Sequence, residues 1–87
     1  MDYFVTLEKE VMSEVAASIE ATIINYMVAH GIKGENTTHP IVILLHNVHR
    51  LKDSLIGNDY TMDELKLIQA KFEFARDYIN EVDSANE

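Results

Sequence analysis

Three of the four histidines of this 87-residue chain lie within twelve consecutive residues, HPIVILLHNVHR, at positions 39–50. If the segment is helical, His46 and His49 share a face with His39 at its start and with Asp53 one turn further on. Imidazole and carboxylate groups grouped in this way suit zinc, nickel or iron. His39, His46, His49 and Asp53 are therefore candidate ligands for a metal ion or a small molecule.

The rest of the sequence does not support chemistry at the histidine segment. It has no H-E-x-x-H motif, and it does not repeat a Glu-x-x-His pair on two helices as di-iron bundles do. Cysteine is absent, and so are the phosphate-binding motif G-x-x-x-x-G-K and the nucleophile motif G-x-S-x-G. We therefore predict a non-enzymatic protein with no catalytic residue and no cofactor, in which this segment packs as a helix.

The composition indicates a single small globular domain. Apolar residues make up 47% of the chain and charged residues 25%, which is typical of a folded protein. A domain of this size buries a modest fraction of its surface, and without cysteines it has no disulfide to strengthen it. Long helices, self-association or a partner protein are the remaining sources of stability.

The surface is acidic, because 15 acidic and 7 basic residues give a formal net charge of −8. Such a surface repels phosphate backbones and anionic membranes, so we expect no direct contact with nucleic acid or with a membrane. The opening residues MDYFVTLEKE lack the basic and apolar regions of a secretory signal. No apolar run approaches the ~18 residues of a membrane span. The predicted location is the cytoplasm.

Helical periodicity extends through the chain apart from two short breaks that contain its glycines and its proline. The predicted helices cover residues 3–30, 40–56 and 62–83. The first, at 1.5 Å per residue, would be about 42 Å long. The sequence thus predicts an all-α fold, a three-helix antiparallel bundle with a long first helix, in one domain over residues 1–87.

Residues at the predicted helix ends support these boundaries. Asp2 is a candidate N-cap for the first helix, and Gly31 suits the position just after its end. His39 is the expected N-cap of the second helix because Pro40 suits the first helical turn. The third helix has a capping box of Thr61 and Glu64.

Each predicted helix carries apolar residues away from its main apolar stripe, and a helix that is apolar on two sides is normally buried on two sides. Three helices alone cannot easily cover all of these faces. We therefore predict an interface with a second copy, giving a larger helical bundle, or with another protein. The candidate interface residues are Ile24, Val28, Val42, Ile43, Leu67, Phe74 and Tyr78.

These features favour a helical protein-interaction module, a small acidic regulator, inhibitor or adaptor that binds a protein through apolar helix faces. By analogy, small helical proteins of this kind are frequent among phage and bacterial accessory factors. Two alternatives stay open at this point. The acidic surface could imitate DNA and sequester a nucleic-acid-binding protein, or the histidine face of the second helix could hold a metal or a small ligand.

Overall fold

A computed structural model describes residues 3–85 as three α-helices: α1 (Tyr3–Ala29), α2 (Pro40–Gly57) and α3 (Met62–Ala85). The predicted all-α, three-helix fold is confirmed, and no strand occurs within these residues. The helices begin at the predicted residues, and their carboxyl ends differ from the predicted ones by one or two residues. Asp2, the predicted N-cap of α1, lies outside the described residues.

The helices form an elongated bundle measuring 44 × 24 × 16 Å. At 1.5 Å per residue α1 alone is about 40 Å long, so it spans nearly the whole long dimension. Lys9 contacts Asn58 and Glu20 contacts Lys52, so α1 and α2 run in opposite directions. Since α1 packs extensively against both other helices, and they pack less against each other, a groove remains between α2 and α3.

Helix α1 ends near a glycine whose backbone adopts the left-handed conformation. Gly31 has a φ of 66°, a conformation that a residue with a Cβ atom adopts only with strain. It allows the Ile32 amide to donate to the Met27 carbonyl at 2.9 Å and the Gly31 amide to reach the Val28 carbonyl at 3.4 Å. These two bonds are the Schellman arrangement, which satisfies free carbonyls at the helix end.

The amino ends of α2 and α3 have the caps that the sequence indicated. The Ile41 amide donates to Nδ1 of His39 at 3.1 Å, and Pro40 occupies the first turn of α2. In α3, the Thr61 amide donates to Glu64 Oε1 at 3.0 Å and the Glu64 amide donates to Thr61 Oγ1 at 3.2 Å. These three bonds satisfy amides that have no partner within the helix at its amino end.

The core consists of apolar side chains from all three helices, and no buried side chain among the described residues is polar or charged. The fully buried residues are Met12, Ala16, Ile19, Ile23, Met27, Ile41, Val42, Val48, Leu55, Leu65, Ile68, Phe72, Ala75 and Ile79. Among residues 3–85, none of the helices combines the length and apolarity that crossing a membrane requires.

The structure corrects the sequence-based prediction that Val42 is an interface residue. Val42 was expected on a second, interface face of α2, yet its exposed fraction is 0% and it belongs to the core. The physical reason is that α1 packs more extensively against α2 than any other two helices pack together, so it covers a wider arc of α2 than one stripe. Val42 is therefore not available to a partner.

Candidate protein-binding surfaces

His49 is the only one of the three clustered histidines with a carboxylate within 4 Å in the described part of the chain. Its Nδ1 lies 3.5 Å from Glu20 Oε2 on α1, and its Nε2 lies 3.3 Å from Asp53 Oδ2. Lys52 Nζ contacts Glu20 Oε1 at 2.9 Å, and the Glu20 side chain is only 14% exposed. These contacts join α1 to α2 across the surface and give His49 a structural role.

The four candidate metal ligands are not brought to one point. The two carboxylates beside His49 lie on opposite ring nitrogens, so they face away from a common centre. His39 uses Nδ1 to cap α2, and His46 is exposed on the surface of the same helix. Within residues 3–85 no group of three or more histidine, cysteine, aspartate or glutamate side chains could hold a metal ion.

Two separate regions contain the predicted interface residues that remain exposed. Ile24 and Val28 lie on α1, where Ala17 and Ala21 are also exposed; we call these four residues the outer face of α1. Val28 is 77% exposed. The others lie along α2 and α3: Ile43, Leu67 and Phe74 are exposed, whereas Tyr78 is half-buried.

Phe74 lines a groove between α2 and α3 with a volume of about 550 Å³. We call it the α2–α3 groove, and its lining residues are Leu44, Asn47, Val48, Arg50, Leu51, Ala70, Lys71, Phe74 and Ala75. Phe74 is 69% exposed and its ring lies 6.4 Å from that of Tyr78, which packs partly against the core. The groove floor is apolar, and among residues 3–85 its only charged lining residues are Arg50 and Lys71.

Sequence analysis missed a third apolar region, on the amino-terminal half of α1. Phe4, Leu7, Val11 and Val15 recur at steps of three or four residues and are all exposed; we call them the amino-terminal stripe. Tyr3 is exposed beside Phe4, with ring centres 6.3 Å apart. This spacing is the sequence signal for the stripe, although the neighbouring core stripe of α1 has the same period.

Taken together, these features are those of a small three-helix bundle with several large apolar side chains exposed on its surface. The chain belongs to the bacterial epsilon antitoxin family, whose sequence model matches residues 1–82. No curated protein and no solved structure matches the chain significantly. Membership of an antitoxin family confirms the broad prediction of a small inhibitory or regulatory protein that has a protein partner.

Proposed function

We propose that this protein is a non-enzymatic antitoxin that neutralises a bacterial toxin by covering part of its surface, and that the amino-terminal stripe of α1 makes the central contact. The proposed function rests on the family match over residues 1–82. The proposed contact rests on the four large apolar side chains that the chain exposes in this stripe. The compartment that we propose for this action is the cytoplasm.

The amino-terminal stripe has the properties of an interface centre. Phe4, Leu7, Val11 and Val15 follow one side of a helix for about three turns, so a groove on a partner could receive them together. Fully burying one such side chain is worth about 1.5–3 kcal/mol before the costs of association. Aromatic and aliphatic side chains at the centre of an interface commonly supply most of its binding free energy.

Acidic residues around this stripe favour a basic toxin surface. Glu8, Glu10 and Glu14 lie on the same half of α1, whereas its only cation, Lys9, is directed to the Asn58 carbonyl at 2.7 Å. A patch with an apolar centre and an acidic border complements an apolar groove with lysine or arginine at its rim. Opposite charges would also speed the encounter of the two proteins at low salt.

The outer face of α1 supports a homodimer as the second part of the proposal. Ile24 and Val28 are large exposed apolar residues, and the alanines at positions 17 and 21 would let a second helix approach closely. A symmetric pair is the commonest closed assembly, and it would place two α1 helices face to face. The amino-terminal stripe is on a different side of α1, so a dimer could still bind toxin.

Growth rescue tests the function. The toxin is sought as the protein of the same bacterium that stops growth when expressed alone and is tolerated when this chain is co-expressed. Wild-type antitoxin should restore growth, whereas Leu7→Asp combined with Val11→Asp should not. Val28→Asp is the matched control on the same helix and should restore growth as well as the wild type.

Immunoblots and circular dichroism must show that every variant is present and folded in that experiment. The proposed contact is wrong if the double variant on the amino-terminal stripe rescues growth as well as Val28→Asp does. The proposed function itself is wrong if no growth-arresting protein of the bacterium is relieved by wild-type antitoxin.

A further inference from the structure

The α2–α3 groove has a charge opposite to that of the protein as a whole. Acidic residues outnumber basic ones by 15 to 7 in the chain, yet the groove is lined by two cations, Arg50 and Lys71, and by no carboxylate. Neither cation takes part in an ion pair with another described residue, whereas Lys52 and Arg76 each contact a carboxylate. Two unpaired cations beside an apolar floor are suited to a ligand that is apolar on one side and acidic at its edges.

The shape of the groove favours a helix as that ligand. Leu44, Val48 and Leu51 follow one side of α2 at steps of four and three residues, and Phe74 and Ala75 border them from α3. Two helices that diverge from close packing leave a channel into which the apolar side of a third helix can fit. Phe74, 69% exposed, is the large aromatic side chain available to contact it.

We propose that the α2–α3 groove is a second docking site, which binds a short acidic amphipathic helix of a third protein, neither the toxin nor a second copy of this chain. Arg50 and Lys71 pair with carboxylates at the edges of that helix, and Phe74 packs against its apolar side. At physiological salt, charges more than about 8 Å apart are largely screened, so a ligand in the groove interacts chiefly with the charges that line it.

The position of the groove separates it from the proposed toxin contact. Val11 and Val15 border the cleft between α1 and α3, together with Gln69 and Arg76. Lys71 and Phe74 face the other side of α3, toward α2. The antitoxin could therefore hold a toxin and the acidic helix at once, which would make it an adaptor as well as an inhibitor.

Two synthetic peptides test the docking site. Each spans about four helical turns and has leucines at positions i, i+3, i+4 and i+7. The flanking positions are all glutamate in one peptide and all lysine in the other. Fluorescence anisotropy with the full-length antitoxin should give binding of the acidic peptide at least about tenfold tighter than that of the basic peptide.

Variants of the antitoxin test whether the preference for the acidic peptide arises in the α2–α3 groove. Phe74→Asp should weaken binding of the acidic peptide by about 30-fold, which is the loss in affinity that removing a typical hot-spot residue causes. Arg50→Glu combined with Lys71→Glu should reverse the preference, so that the basic peptide binds more tightly. Leu7→Asp on the amino-terminal stripe is the control and should change neither affinity. A saturating amount of toxin should also leave the acidic peptide bound.

Several results would overturn the docking site. Equal binding of the two peptides, or a preference that survives the double charge reversal, removes the role of Arg50 and Lys71. A wild-type dimer that Phe74→Asp dissociates in sedimentation velocity would assign the groove to a second copy. Displacement of the peptide by toxin would assign the groove to the toxin. Peptide binding is measured without toxin, so failure here is distinct from failure of growth rescue.

Discussion

Removing the histidine cap of α2 should destabilise the protein measurably. Nδ1 of His39 accepts the Ile41 amide at 3.1 Å, and no acidic side chain in the first turn of α2 replaces it. Loss of an N-cap acceptor typically costs about 0.5–2 kcal/mol. In a domain of this size, each kcal/mol of lost stability lowers Tm by about 4–8 °C. If His39→Ala costs about 1 kcal/mol, its Tm should therefore be roughly 4–8 °C below that of the wild type.

Matched substitutions separate the cap from other roles of His39. Asparagine restores a side-chain acceptor, so His39→Asn should stay within about 0.5 kcal/mol of the wild type. Aspartate restores the acceptor and adds a negative charge at the positive end of the helix dipole, which is worth about 0.3–1 kcal/mol, so His39→Asp should be at least as stable. His46→Ala, on the exposed side of the same helix, should change stability by less than about 0.5 kcal/mol.

Urea denaturation followed by circular dichroism measures the free energy of unfolding of all four variants. The cap interpretation requires His39→Ala to be the least stable, with His39→Asn restored close to the wild type. It is refuted if His39→Ala and His46→Ala have equal stability. It is also refuted if asparagine and aspartate are as damaging as alanine, because the ring itself would then be what α2 requires.

Three further predictions concern the α1 terminus, self-association and metal binding. Gly31→Ala should cost about 1–2 kcal/mol in chemical denaturation because φ is 66°, whereas Gly34→Ala, where an added Cβ meets no atom, should cost nothing or stabilise slightly. Val28→Asp should shift the protein from dimer to monomer in sedimentation velocity, and a wild type that is monomeric at high concentration would disprove the dimer. Elemental analysis of the purified protein should give the same metal content for the wild type and for the variant with alanine at both His46 and His49. If the wild type contains stoichiometric zinc, nickel or iron and the variant lacks it, the metal interpretation would be restored.

The local features of the fold could be predicted from sequence because each depends on neighbouring residues. Gly31, His39 with Pro40, and the Thr61–Glu64 box all act within one helical turn, and their hydrogen bonds are present in the structure. The core stripes follow from the same period of about 3.6 residues, since a helix that packs on one side needs apolar residues on that side.

Features that depend on how the helices cross could not be predicted from one helix at a time. Val42 is buried because the contact of α1 with α2 is broad, which no pattern within α2 reveals. The contact between Glu20 and Lys52 depends on the register of two helices that are far apart in sequence. Val11 and Val15 stay exposed because α3 leaves a cleft beside them.

The affinity of the antitoxin for its isolated toxin, measured by titration calorimetry, tests the central proposal most directly. Val11→Asp should weaken binding by about 30-fold, since a charge placed in the centre of an apolar interface costs about 2 kcal/mol or more. Val28→Asp makes the same change on the outer face of α1 and should leave the affinity for toxin within about twofold, corresponding to 0.4 kcal/mol. If Val28→Asp weakens toxin binding and Val11→Asp does not, the amino-terminal stripe is not the toxin contact.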